Sequence, residues 1–85
     1  MTDDIWTEKD NALHAELKFK DFVEAFGFLS EVAILMEKHN HHAEIYNVYN
    51  TVKLKLTTHD AGDVVTEKDK ALAAEITKRV GRYDV

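Results

Sequence analysis

Leu13-His14-Ala15-Glu16-Leu17-Lys18-Phe19-Lys20 is the stretch on which the fold turns. Leu13, Ala15, Leu17 and Phe19 alternate with His14, Glu16, Lys18 and Lys20. In extended backbone, successive side chains point to opposite faces, so this period of two puts one face in a core and the other in water. The spacing predicts a half-buried antiparallel strand. A near-copy of the surrounding sequence makes that reading decisive. Thr7-Glu8-Lys9-Asp10-Asn11-Ala12-Leu13-His14-Ala15-Glu16-Leu17 echoes Thr66-Glu67-Lys68-Asp69-Lys70-Ala71-Leu72-Ala73-Ala74-Glu75-Ile76. A repeat fold would require both copies to take one structure. Residues 8–17 can be read locally as a helix, but only the second copy continues the four-residue spacing, through Leu72, Ile76 and Val80. The similarity is therefore one of composition, with the second copy alone predicted as a helix.

Working outward, Thr66 with Asp69 resembles a capping box at the start of that helix. Glu67 and Asp69 near its N-terminus, and Lys78, Arg79 and Arg82 near its C-terminus, match the helix dipole, and Gly81 is a candidate terminator. A second helix is predicted from the Asp21-Phe22-Val23-Glu24 capping signal to about His39, with Asn40 as a left-handed cap. Phe22, Phe26, Leu29, Val32 or Ala33, and Met36 are its expected apolar stripe, widened by Phe28 and Leu35. Gly27 in mid-helix suggests a close backbone contact. Two further strands are expected at Glu44–Asn50 and Val52–Thr58, joined by a turn at Asn50-Thr51. Ile5–Thr7 is a candidate short edge strand, with Thr7–Asn11 turning into the strand after it. The order β-β-α-β-β-α gives an α+β two-layer sandwich: a four-stranded antiparallel sheet with two helices on one face. Lys18, Lys20, Lys53 and Lys55 fall on the other face.

The 85 residues, 9.7 kDa, make one domain, residues 1–85. A net charge of −5 argues against direct nucleic-acid binding, because a phosphate backbone calls for a basic face. The chain has no Cys, which excludes disulfides and thiolate zinc sites. No stretch approaches the ~20 apolar residues of a membrane span. The acidic start Met1-Thr2-Asp3-Asp4 lacks a signal-like apolar run, so a cytoplasmic location is expected. The unusual count is five His, three of them within His39-Asn40-His41-His42.

That cluster falls at a helix exit, and His59 falls at a strand end. Such positions on a rigid scaffold commonly carry function, and solvated boundary residues are the plain alternative. A metal site is disfavoured: His41 and His42 are adjacent, and no helical His-x-x-x-His pair exists. Nucleophilic catalysis lacks a base beside Ser30. Imidazoles titrate near neutrality, so a histidine cluster suits general acid–base chemistry, one ring donating a proton while another accepts one.

The ordered residues resemble the pterin-4a-carbinolamine dehydratase family over about residues 12–75. The resemblance rests on Phe19-Lys20-Asp21-Phe22, Ala25-Phe26-Gly27-Phe28, Glu37-Lys38-His39-Asn40-His41-His42, Tyr46-Asn47-Val48-Tyr49-Asn50, Leu56-Thr57-Thr58-His59 and Thr66-Glu67-Lys68-Asp69. It implies dehydration of 4a-hydroxytetrahydropterin to quinonoid dihydropterin, in tetrahydropterin recycling, with no metal or bound cofactor. His41, His42 and His59 match the family's three essential histidines. By the same carry-over His41, His42, Ala43, Thr58, His59, Asp60 and Ala61 line the pterin. Glu37 and Asp69 are candidate orienting carboxylates; Asp60 or Asp69 is a candidate to orient His59, with a surface or helix-cap role the alternative for each. The acid and base roles among the histidines stay open. Family members form homodimers or homotetramers, and animal members also serve as a dimerisation cofactor for a transcription factor, so a non-catalytic interaction module is the alternative. The chain departs from the family in having Ala43 where Pro is usual and Ile45 where Trp is common, and Met1–Trp6 is expected to be too short for the additional helix that many relatives carry before the first strand.

Overall fold

The computed structural model describes residues 5–83. Its elements are β1 (Thr7–Lys9), β2 (Ala12–Lys18), α1 (Phe22–His39), β3 (Glu44–Val48), β4 (Thr51–Leu56), a 3-10 turn (His59–Ala61) and α2 (Glu67–Val80). The alternating segment is a strand and its near-copy is a helix. All strand pairs are antiparallel, in the order β1-β2-β4-β3. The central register sets Leu13 opposite Leu56, Ala15 opposite Leu54 and Leu17 opposite Val52. These six side chains form the buried face of the sheet, and they share one core with Phe28, Val32 and Leu35 of α1 and Leu72, Ile76 and Val80 of α2.

The short edge strand is Thr7–Lys9 rather than Ile5–Thr7, and its turn is only Asp10-Asn11, both at positive φ. The β3–β4 turn falls at Tyr49-Asn50, where Tyr49 also takes φ 50. Asp21 caps α1 by accepting the Glu24 N–H at 2.9 Å, and Thr66 and Asp69 form the predicted capping box of α2.

Two expectations for α1 need correction. Its buried stripe is Ala25, Phe28, Leu29, Val32, Leu35 and Met36. Phe22 and Phe26 instead lie about half exposed and pack on one another with ring centroids 5.5 Å apart. Apolar residues surround so much of this helix that spacing alone admits two stripes, and the sheet selects the one containing Phe28. Gly27 lies on the exposed side, where a Cβ would meet no described atom within 4 Å, so the inferred close contact is absent there. Gly81 caps α2 in right-handed rather than left-handed backbone.

Candidate active site

Three chain reversals converge at one end of the sandwich. At the exit of α1, Asn40 adopts φ 50, and the His41 N–H returns to the Met36 carbonyl at 3.1 Å. The chain is thereby turned off the helix axis and His41 swings towards α2. At the exit of β4, Thr58 bridges to Val64 and the 3-10 turn begins with His59. At the start of α2, Thr66 and Asp69 complete the capping box. Asn40, His41, His42, Thr57, Thr58, His59, Asp60 and Lys68 line the resulting cleft, about 240 Å³ in volume.

Asp69 is the most constrained group here. It is fully buried and its Oδ1 lies 2.6 Å from His41 Nε2. Its Oδ2 accepts the Thr58 hydroxyl at 2.6 Å and the Thr66 N–H at 2.8 Å. Thr58 has one hydroxyl proton, which goes to Asp69. At the 2.6 Å contact between the two threonine hydroxyls, Thr66 must therefore be the donor. Aligned O–H donors polarise one another and strengthen the chain. Burial pushes the Asp69 carboxyl up, but the hydrogen bonds from Thr58, His41 and Thr66 outweigh it and hold the group below the usual carboxylate range. Asp69 is then an acceptor at neutrality. His41 Nε2 must donate to it, which leaves His41 Nδ1 as the ring nitrogen free for chemistry.

The other two histidines also meet carboxylates, in far more open surroundings. His42 Nε2 lies 3.0 Å from Glu37, one turn back on α1. His59 Nδ1 lies 2.9 Å from Asp63. The Asp63 hydrogen bond and charge, followed by the charge of Asp60, raise the His59 pKa above its ordinary value.

His41, His42, Thr58, His59 and Asp60 are thus gathered at one cleft, and Glu37 and Asp69 each hold a histidine. Asp69 holds His41, however, and not His59. Thr58 is buried with its hydroxyl committed to Asp69, its N–H to the Val64 carbonyl and its carbonyl to the Ala61 and Asp63 N–H groups, so it shapes the wall of the cleft. Ala43 and Ala61 lie outside the lining. Ala43 is packed against the core with its N–H on Met36 Sδ. Sequence reasoning missed Asp63, whose only signal was its four-residue spacing from His59, and missed Lys68 and Thr57 on the lining. Among the described residues no cluster of His, Asp and Glu could hold a metal ion.

A larger hollow of about 740 Å³ crosses the outer sheet face, lined in part by His14, Glu16, Tyr46, Lys53 and Lys55. It holds a single imidazole and no buried carboxylate, so the smaller cleft has the stronger case for chemistry.

The family description that matches the chain, over residues 1–79, is Pterin 4 alpha carbinolamine dehydratase. A protein of Solibacter usitatus (strain Ellin6076) is 51% identical over 71 residues, covering 84% of this chain and 74% of that protein. One from Prochlorococcus marinus (strain NATL2A) is 47% identical over 75 residues, covering 88% and 78%. Both are provisionally named pterin-4-alpha-carbinolamine dehydratase. The crystal structure of a transcriptional coactivator/pterin dehydratase from Brucella melitensis superposes with a TM-score of 0.84 at 40% identity, covering 89% of this chain and 82% of that one. A pterin dehydratase-like protein identified as a RuBisCO assembly factor has the same fold, with a TM-score of 0.72 at 23% identity. With a family match across nearly the whole chain and relatives near half identity, the protein belongs to the pterin 4 alpha carbinolamine dehydratase family.

Proposed function

We propose that the protein is a hydro-lyase that dehydrates 4a-hydroxytetrahydropterin to quinonoid dihydropterin, by general acid–base catalysis with His41, His42 and His59. The observation that carries this reading is the convergence of three imidazoles, each against its own carboxylate, on one cleft. In the reaction the C4a–O bond breaks, and the leaving oxygen takes a proton from an acid and departs as water. The proton on N5 passes to a base while the C4a=N5 double bond forms. Two imidazoles in opposite protonation states suffice near neutral pH, and neither a metal nor a bound cofactor is called for. His41 enters through Nδ1, because Asp69 occupies Nε2. Asp60, His41, His42 and His59 would hold the pterin, with Thr58 shaping the wall of the cleft. No helix of the described residues is long and apolar enough to cross a membrane, and the reading places the enzyme in the cytoplasm, in tetrahydropterin recycling.

Mixing synthetic 4a-hydroxytetrahydropterin with the protein tests this reading. Dehydration well above the buffer rate is expected, and a rate equal to buffer would sink the proposal.

A second reading is favoured by a different observation. Among the described residues no strand pairs with the outer edge of β3, which exposes Ile45, Tyr46 and Val48, with Tyr49 in the turn beyond, while α1 exposes Phe22, Val23, Phe26 and Ile34. Open edges and apolar patches favour association. We therefore also propose a homodimer or homotetramer, which sedimentation at micromolar concentration would test. In a purely interacting protein, replacing the three histidines would leave function intact.

A further inference from the structure

We propose that Asp63 is a positioning residue for His59: its carboxylate accepts the Nδ1–H, sets the ring's tautomer and turns Nε2 to the substrate. This rests on the proposed dehydratase reading for its consequence, though not for its geometry. His59 Nδ1 and Asp63 Oδ1 lie 2.9 Å apart across the turn that leaves β4. The turn is tied at both ends. Thr58 N–H donates to the Val64 carbonyl at 2.9 Å, and Asp63 N–H donates back to Thr58 at 3.1 Å.

The backbone at this point gives a second, independent argument. Asp63 has φ 58, directly after Gly62 at φ 91. Left-handed backbone is the region where glycine carries no Cβ penalty, and Asp is among the few other residues that visit it. Asp63 carries its side chain at a position whose conformation also suits glycine, and that side chain ends on an imidazole at the cleft. Stability does not account for the contact. His59 is 88% exposed and Asp63 67% exposed, and pairs so open to water add little.

The groups facing His59 are few. Asp60 lies on its own turn, Asp63 just beyond it, Lys68 on α2, and His41 and His42 at the exit of α1. The Asp63 hydrogen bond is the largest influence on the ring, ahead of the charges of Asp63 and Asp60, and together they favour the protonated form. His41 is oriented through Nε2 and offers Nδ1, whereas His59 is oriented through Nδ1 and offers Nε2.

Two variants separate the hydrogen bond from the charge. Asp63→Gly removes both and suits the backbone, and Asp63→Asn keeps an acceptor oxygen without the charge. Long-range nitrogen–proton NMR reads the His59 tautomer and titration without reference to activity. The wild type should show neutral His59 carrying its proton on Nδ1. Asp63→Gly should lose that preference and titrate at lower pH, and Asp63→Asn should keep the tautomer while also titrating lower. The pH–rate profile of dehydration should move to lower pH in both variants, with thermal stability unchanged or raised in Asp63→Gly. A His59 tautomer and titration in Asp63→Gly identical to wild type would overturn the proposal. So would a loss of stability with the titration unchanged, which is the mark of a merely structural role. If the wild type does not dehydrate the pterin, the proposed function fails, and the NMR result decides the positioning claim alone.

Discussion

His41 and His59 face one cleft, each with one ring nitrogen on a carboxylate, in opposite surroundings. The His41 side chain is 10% exposed and its partner Asp69 is fully buried, whereas His59 and Asp63 are 88% and 67% exposed. The same kind of contact therefore has two different consequences. Asp69 is embedded in the α2 cap and joins three chain segments, so it bears on folding and on ring orientation together. Asp63 is screened by water and can bear on orientation and proton affinity with little effect on the fold.

The largest expected difference is in stability. Asp69→Ala strands the Thr58 hydroxyl, the Thr66 N–H and His41, and should cost about 3–5 kcal/mol, as when one partner of a buried pair is removed. Asp63→Gly should lie within about 0.5 kcal/mol of wild type. Chemical denaturation measures both, and equal losses would break the comparison. Thr58→Val should cost roughly 1–3 kcal/mol, because it leaves Asp69 and the Thr66 hydroxyl each short of a partner. Acid denaturation tests the same network by another route. Asp69 binds its proton more weakly in the folded chain than in the unfolded one. Its contribution is complete above the unfolded carboxylate range, near about 4, and is lost as pH falls through the lower folded value. Asp69→Asn should be less stable than wild type at neutral pH and should lack that part of the acid transition. The smallest effect concerns salt. The upward shift of His59 should shrink as ionic strength rises, while the downward shift of Asp69 should persist, since buried pairs are screened far less. NMR titration at low and high salt would show it.

The sheet was legible because Leu13–Leu17 and Val52–Leu56 each alternate, and a one-residue slip would move every apolar side chain to the wrong face. The α1 and α2 caps were legible because capping is local, a matter of three or four residues. The buried face of α1 was only partly legible. Phe22 and Phe26 fit a helical stripe as well as Phe28 does, and only the packed sheet distinguishes them. At the site, the order of the histidines and the orienting carboxylates Glu37 and Asp69 were readable, but which carboxylate meets which ring was not. His41 and Asp69 are 28 residues apart and meet only because Asn40 turns the chain left-handed. Asp63 was overlooked because Gly62-Asp63 reads as an ordinary turn, and the sequence alone does not show where a side chain on left-handed backbone will point.

The central claim is that the histidine cleft dehydrates a pterin carbinolamine. Its most direct test is the dehydration rate of synthetic 4a-hydroxytetrahydropterin with wild type, His41→Ala and His59→Ala at neutral pH, each verified as folded. The account predicts clear catalysis by wild type and losses of roughly 100-fold or more in each variant, the scale of a lost general acid or base. Wild-type rates in either folded variant would contradict it.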